Sequence, residues 1–372
     1  MDISARNKTA IVGVGYTEIV RNPERSLGSY AVEAALNAID DAGLTTKEID
    51  GYSGTPKAAN ASAFHWDGVD EVTDRYMAQA LGLGLRWSRD LNRGVVADGI
   101  VAAVEALLTG SANYVLCVRA MYDRPGTRYA QRDSLVAGGP EQFTAPYGLG
   151  NGASAMWLAR YMHDYGATKE DLFHVVKTLR DHAQLNPYAF WNGKTITEEQ
   201  YLGARLIVEP MCLFDYDIPV TGAGAVVLTT ADRAAALPHN PAFVAGYANS
   251  REPGQAVFDA SGIGRDEVQA AQLYDGFVQF IWHWLEVLGF CGRGEAHAFA
   301  RQGNIALGGV LPVTTFGGSQ GEGRLHGMGH VREGAMQVMG RAGERQVPGL
   351  QNCLVALGID TVPGYSIMLS AG

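Results

Sequence analysis

Short apolar runs closed by glycine alternate along this chain with stretches whose apolar residues recur at helical spacing. Ala10 to Gly15 (AIVGVG) predicts a buried strand. Ser26 to Gly43 predicts a helix, with Leu27, Tyr30, Ala31, Ala34, Ala35, Ala38 and Ile39 on one face. Ser26 suits its N-cap and Gly43 its C-terminal stop. Asp50-Gly51-Tyr52-Ser53 then restarts extended chain, which makes a β-α-β opening. The unit recurs as an alanine-rich helix over Gly99 to Gly110 and a strand over Asn113 to Val118. Residues 119 to about 210 break the rhythm with a polar, glycine-rich stretch and two helical patterns, Ala153 to Tyr165 and Lys169 to Ala183. That segment reads as an insertion. Ala223 to Thr229 restores a core strand.

The layout is then repeated. Phe243 to Gly246 predicts a strand, Val278 to Leu288 an apolar helix opened by Tyr274-Asp275, and His330 to Met339 a helix after a glycine-rich loop. Asn352 to Leu357 and Tyr365 to Leu369 predict the closing strands. Two similar β/α halves are expected, 1–235 and 236–372, the first carrying the 119–210 insertion. Phe277, Phe280, Trp282, Trp284 and Leu285 leave the middle helix apolar around most of its circumference, as a core or interface helix requires.

Composition narrows the function classes. The 372 residues are 47% hydrophobic and 18% charged, ordinary for a globular protein with a large core. A net charge of −10 gives no support for nucleic-acid binding. The N-terminus has no signal-peptide apolar core, and no apolar run is long enough for a membrane span. Cys117, Cys212, Cys291 and Cys353 are far apart, without metal-ligand or disulfide spacing, so a cytoplasmic protein with reduced thiols is expected. Gly13-x-Gly15 follows a strand but lacks the rest of a dinucleotide fingerprint, and Gly317 to Gly329 lacks the Gly-Lys-Ser/Thr end of a phosphate loop.

Five collinear stretches carry a family resemblance. They are AIVGVGYTEI with AALNAIDDAGLTTKEIDG; YMHDYGATKEDL with DHAQLNPYA; DYDIPVTGAGAVVLT; QLYDGFVQFIWHWLEVLGFCGRGE; and LPVTTFGGSQGEGRLHGMGHVREGAMQVMG. Together they resemble the thiolase superfamily, in its sterol-carrier and lipid-transfer-protein branch. The resemblance implies an α/β fold of five layers, α-β-α-β-α, built from two similar halves, and a homodimer.

The resemblance also locates three catalytic positions. The thiolase cysteine, a thiolate at a helix N-terminus, aligns in Gly94-Val95-Val96-Ala97-Asp98-Gly99 with Val96, which has no lone pair. The family's His-Asp-x-Phe site reads Tyr274-Asp275-Gly276-Phe277, and the histidine of its Gly-His-Pro site aligns with Arg324. This pattern resembles the steroid side-chain aldolases of the branch, which use a tyrosine at each of the last two sites. Arg324 departs from them at the second. Such a relationship implies retro-aldol cleavage of a β-hydroxyacyl-CoA to a ketone and a shorter acyl-CoA, with CoA entering as part of the substrate and no other cofactor.

That reaction needs a base for the β-hydroxyl and a stabiliser for the enolate, but no covalent intermediate. Tyr274 is the candidate base if Arg324 lowers its pKa. Backbone N–H groups at Gly317 and Gly318 are candidates for the enolate oxygen. Arg324 is alternatively an ion-pair partner for Glu322 or Asp275. His326 and His330 are proton-carrier candidates or satisfied structural histidines. Asp98 is a pocket acid or base, or the N-cap of its helix. Cys291 is the remaining thiol candidate. Relatives in this branch assemble with a small OB-fold partner carrying a zinc ribbon, so such a partner is implied. No metal cluster is expected in this chain.

Overall fold

A computed structural model describes residues 5–55, 71–90, 96–122, 151–250, 253–358 and 364–372. Strand β1 (Thr9–Tyr16) and helix α1 (Leu27–Asp41) open the chain. The Ser26 hydroxyl accepts the Ser29 N–H at 3.1 Å, and Gly43 adopts φ +70° just past the helix. A Cβ at Gly13 would lie 2.2 Å from the Ala38 carbonyl oxygen, and one at Gly15 2.1 Å from that of Ala34. The glycine pair therefore lets α1 lie directly on β1, which accounts for it without a nucleotide.

The first half continues with β2 (Gly51–Gly54), α2 (Asp74–Leu81), β3 (Trp87–Asp90), α3 (Val96–Leu108), β4 (Tyr114–Met121), α4 (Asn151–Tyr165), α5 (Lys169–Gln184) and β5 (Gly222–Thr230). The second contains β6 (Ala242–Ser250), α6 (Pro253–Ser261), β7 (Ala270–Leu273), α7 (Phe280–Val287), α8 (Met328–Val338), β8 (Asn352–Leu357) and β9 (Gly364–Ser370). Hydrogen bonds order the strands β3-β2-β4-β5-β1-β6-β9-β8-β7.

Within this order one pattern occurs twice. Strand β2 runs parallel to β4, β4 antiparallel to β5, and β5 antiparallel to β1. Likewise β7 runs parallel to β8, β8 antiparallel to β9, and β9 antiparallel to β6. Among the described residues the strands of the two sets pair where Ala10 and Ile11 face Phe243 and Ala242. Helix α1 covers the outer face of the first set and α6 that of the second, while α3 and α8 each touch strands of both. The layers are therefore α-β-α-β-α, with α3 and α8 in the middle of a largely apolar core.

Several sequence expectations shift. The edge strand β3 (WSRD) and the four-residue β7 (AAQL) carry no strong period-2 signal and went unanticipated. Helix α7 starts at Phe280, two residues later than its apolar pattern, because Val278 donates its N–H to the Asp215 carbonyl at 3.0 Å. Phe280, Trp282, Trp284 and Leu285 are buried within the core. In the insertion, α5 is closed at its start by a Thr168–Asp171 capping box. His182 anchors α5 to the second half: its Nδ1 lies 3.3 Å from the Thr314 carbonyl, and its Nε2 accepts the Leu307 N–H at 3.1 Å. The glycine-rich stretch at 123–150, and Gly94-Val95, lie outside the described residues.

Candidate active site

The two central helices bring their first residues together. Val96 of α3 and Met328 of α8 line one small cavity of about 10 Å³ with Ser53, Gly54, Thr55, Gly99, Cys117 and Val118. Both side chains are buried and apolar, a valine and a thioether. The position expected for a nucleophile is thus filled by an inert side chain.

No thiol compensates. Burial pushes Cys212, Cys291 and Cys353 up to about 12, and Cys117 higher still. Cys291 also faces Glu286 and Glu295, which oppose a thiolate further.

Tyr274 and Arg324 do come together. Tyr274 is buried at the end of β7, its N–H donating to the Ala356 carbonyl at 2.9 Å. Arg324 is also buried, with its Nε 3.6 Å from Asp217 Oδ2 and its backbone N–H on the Ile218 carbonyl. The expected lowering of the Tyr274 pKa does not follow. Burial and the Asp217 carboxylate raise it above the ordinary tyrosine value, outweighing Arg324 and Arg119. At neutral pH Tyr274 is therefore a phenol. Asp217, not Glu322 or Asp275, is the carboxylate beside Arg324. Glu322 is held by Arg332, by Asn186 and by the Tyr16 hydroxyl.

Two residues of the cluster were not anticipated. Arg119, buried in β4, donates from Nη1 to the Thr55 carbonyl at 3.2 Å and lies with Nη2 2.7 Å from His326 Nδ1. Burial and the neighbouring Arg324 bring it down to about 10. Asp217, in Asp215-Tyr216-Asp217, fixes the turn ahead of α7 by giving its N–H to the Gly276 carbonyl at 3.2 Å. The available signals were a charged residue inside the apolar strand run YVLCVRAM and a carboxylate beside an apolar Ile-Pro-Val.

Of the two N–H groups singled out in the Gly317-Gly318 loop, one is engaged within the loop itself. The Gly317 N–H donates to the Thr314 carbonyl at 3.0 Å. Beyond it, the N–H groups of Ser319 and Gln320 bind the two oxygens of Asp275 at 2.9 and 3.0 Å. A Cβ at Gly318 would sit 2.1 Å from Asp275 Oδ2, and one at Gly317 2.7 Å from the Ala183 Cβ. These glycines admit Asp275 and α5; the loop's bonded N–H groups hold a carboxylate of the protein. His330 Nε2 lies 3.0 Å from the same carboxylate, with its ring 5.6 Å from that of Tyr274. Asp275 thereby ties α8, the glycine loop and Tyr274 into one unit.

Asp98 is not an N-cap. It lies in the first turn of α3, and its Oδ1 accepts the Tyr365 hydroxyl at 2.8 Å. That contact links α3 to β9. Among the described residues no group of three metal-ligating side chains occurs.

Comparison with known proteins agrees with this geometry. Residues 235–359 match the Thiolase C-terminal domain-like family. An acetyl-CoA acetyltransferase from Syntrophomonas wolfei superposes with a TM-score of 0.69 at 14% identity, covering 99% of this chain and 100% of that one, so the fold is that of the thiolases. The Ltp2-ChsH2(DUF35) aldolase superposes with a TM-score of 0.87 at 33% identity, covering 98% of each chain. The steroid side-chain-cleaving aldolase of Thermomonospora curvata is 35% identical over 97% of both chains. The 17-hydroxy-3-oxo-4-pregnene-20-carboxyl-CoA lyase of Mycobacterium tuberculosis is 34% identical over 97% of this chain and 99% of its own. The chain belongs to the thiolase superfamily, in the branch of these side-chain-cleaving aldolases.

Proposed function

We propose that this protein cleaves a β-hydroxyacyl-CoA, with a steroid-like acyl group, by a retro-aldol reaction that yields a ketone and a shorter acyl-CoA. The observation that carries the reading is Val96 at the head of α3: the thiolase frame is kept around a side chain that cannot form an acyl-enzyme. The full-length similarity to two aldolases or lyases supports the same class.

In this reading the β-hydroxyl proton passes through Tyr274 to Asp217: the phenol takes it as it gives up its own. A relay of this kind accumulates no phenolate, which suits a tyrosine whose pKa is raised. The electrons of the breaking Cα–Cβ bond move to the thioester oxygen, where Arg324 stabilises the enolate. The proton then returns to Cα. Asp98 has a lesser part, bracing α3 through Tyr365. The division at 235/236 is retained as two thiolase-like halves. A homodimer, and a small OB-fold partner carrying a zinc ribbon, complete the proposed assembly; the name of the Ltp2-ChsH2(DUF35) aldolase supports a partner, of the DUF35 class.

Tyr274→Phe tests the reading. With the partner present, cleavage of a branched β-hydroxyacyl-CoA should fall by about 10²–10⁴-fold, the range for losing a proton-transfer group. Full activity of the variant would remove Tyr274 from the mechanism.

A further inference from the structure

We infer that Arg119 is a positioning residue that holds His326 as its neutral Nε2–H tautomer, so that His326 donates a hydrogen bond to the substrate's thioester oxygen instead of acting as a base. The acceptor rests on the retro-aldol reading above; the tautomer does not.

A guanidinium has only donors. With Arg119 Nη2 2.7 Å from His326 Nδ1, the imidazole nitrogen must supply the lone pair. A proton on Nδ1 would set N–H against N–H at that distance. The imidazolium and the Nδ1–H tautomer are both excluded, and the ring's single proton sits on Nε2. Arg119 is fixed in this task. It is 2% exposed, rises from the interior of β4, and is tied at Nη1 to the Thr55 carbonyl.

Arg119 approaches from β4 and Arg324 sits two residues earlier on the loop, with its Nε 3.6 Å from Asp217 Oδ2, so the ring lies where the two halves bring buried arginines together. The ring is also placed by an uncommon backbone: His326 has φ +48°, in the left-handed region that few non-glycine residues adopt, between the buried Leu325 and Gly327 at φ +97°.

A fixed N–H donor suits the reaction. As the Cα–Cβ bond breaks, its electron pair becomes the enolate and negative charge grows on the thioester oxygen. The Nε2–H bond strengthens as that charge develops and keeps its proton throughout, so no proton is gained or lost at His326. Sequence alone left this histidine as a proton carrier or a structural residue; its contact with Arg119 separates the two.

Nitrogen-15 NMR of the full chain labelled at histidine, with His326 assigned through His326→Gln, reads the tautomer directly. At neutral pH the unaltered protein should show a bare Nδ1 and a protonated Nε2. Arg119→Met should release the ring to a mixed tautomer that protonates on acidification, and Arg119→Lys should restore the original state in part. A protonated Nδ1 in the unaltered protein, or an unchanged tautomer in Arg119→Met, overturns the inference without touching the aldolase reading. Kinetics test the donor role: His326→Gln keeps an N–H at the ε position and should retain kcat within about 10-fold, while His326→Leu should lose about 10²–10³-fold with KM little changed. Equal loss in both variants overturns the donor role; absence of cleavage in the unaltered complex would instead count against the retro-aldol reading.

Discussion

Replacing Asp275 by alanine strips one fully buried carboxylate from three N–H donors at once: Ser319, Gln320 and His330 Nε2. Each donor left buried without an acceptor costs about 1–3 kcal/mol. Water entering the vacated space recovers part of this, so a net loss of about 3–5 kcal/mol is expected, the range for removing one partner of a buried charged contact. For a chain of this size that corresponds to a fall in Tm of roughly 4–6 °C. Asp275→Asn keeps one carbonyl acceptor and should fall between alanine and the native protein. Thermal unfolding followed by circular dichroism measures both. The same variants should lose activity below their Tm, because Asp275 anchors the turn that leads through Glu322 to Arg324. An Asp275→Ala protein that melts within about 1 °C of the native one would refute this account of how the glycine loop is held.

Other outcomes follow from the same structure. Burial holds His182 at about 4 in the folded chain against an ordinary 6.5, so between these pH values the unfolded chain binds the extra proton. Stability should therefore decline as pH falls through that window, by about 3 kcal/mol in all, and be unaffected by this group above it. His182→Gln should flatten the decline in urea titrations run at pH 4 to 7. Because the Tyr274 pKa is raised, kcat/KM should show no tyrosine ionisation below pH 10; a rise in rate with an apparent pKa under 10 that vanishes in Tyr274→Phe would contradict the proton relay. Alkylation with iodoacetamide should leave cleavage intact, since all four thiols are held well above their ordinary pKa. A stoichiometric loss of activity on modifying Cys291 would reinstate a thiol.

Much of the architecture was legible because burial and periodicity coincide. The α1 face runs Leu27, Tyr30, Ala31, Ala34, Ala35, Ala38 and Ile39, and all seven are buried as its spacing requires. The two halves were visible as a repeated layout, since strands such as NCLVAL and GAGAVVLTT are apolar on both faces. Short or polar-edged strands were not visible. WSRD has two exposed residues between two half-buried ones, which is no period-2 signal, and its place is set by pairing with β2.

The site was half legible. Family positions located Val96, Tyr274 and Arg324, but the electrostatics belong to tertiary contacts. Arg119 lies 155 residues from Tyr274 and is joined to His326 across the first and second halves, so spacing could not connect them. The direction of the Tyr274 shift depends on Asp217 and on burial, neither of which is a property of the Tyr274-Asp275-Gly276-Phe277 motif. Asp98 and the Gly317-Gly318 loop read as chemistry in the sequence; the Tyr365 hydroxyl on Asp98 and the Asp275 carboxylate on the Ser319 N–H are tertiary contacts that no local pattern carries.

The central claim is carbon–carbon cleavage with no acyl-enzyme. The most direct measurement follows a β-hydroxyacyl-CoA through the reaction, with the proposed DUF35-class partner present and no free CoA added, while intact-mass spectrometry monitors the protein. Ketone and shortened acyl-CoA released in equal amounts, with the chain's mass unchanged at every time point, is the expected result. An acyl adduct on the chain, or cleavage that requires added CoA, would contradict it.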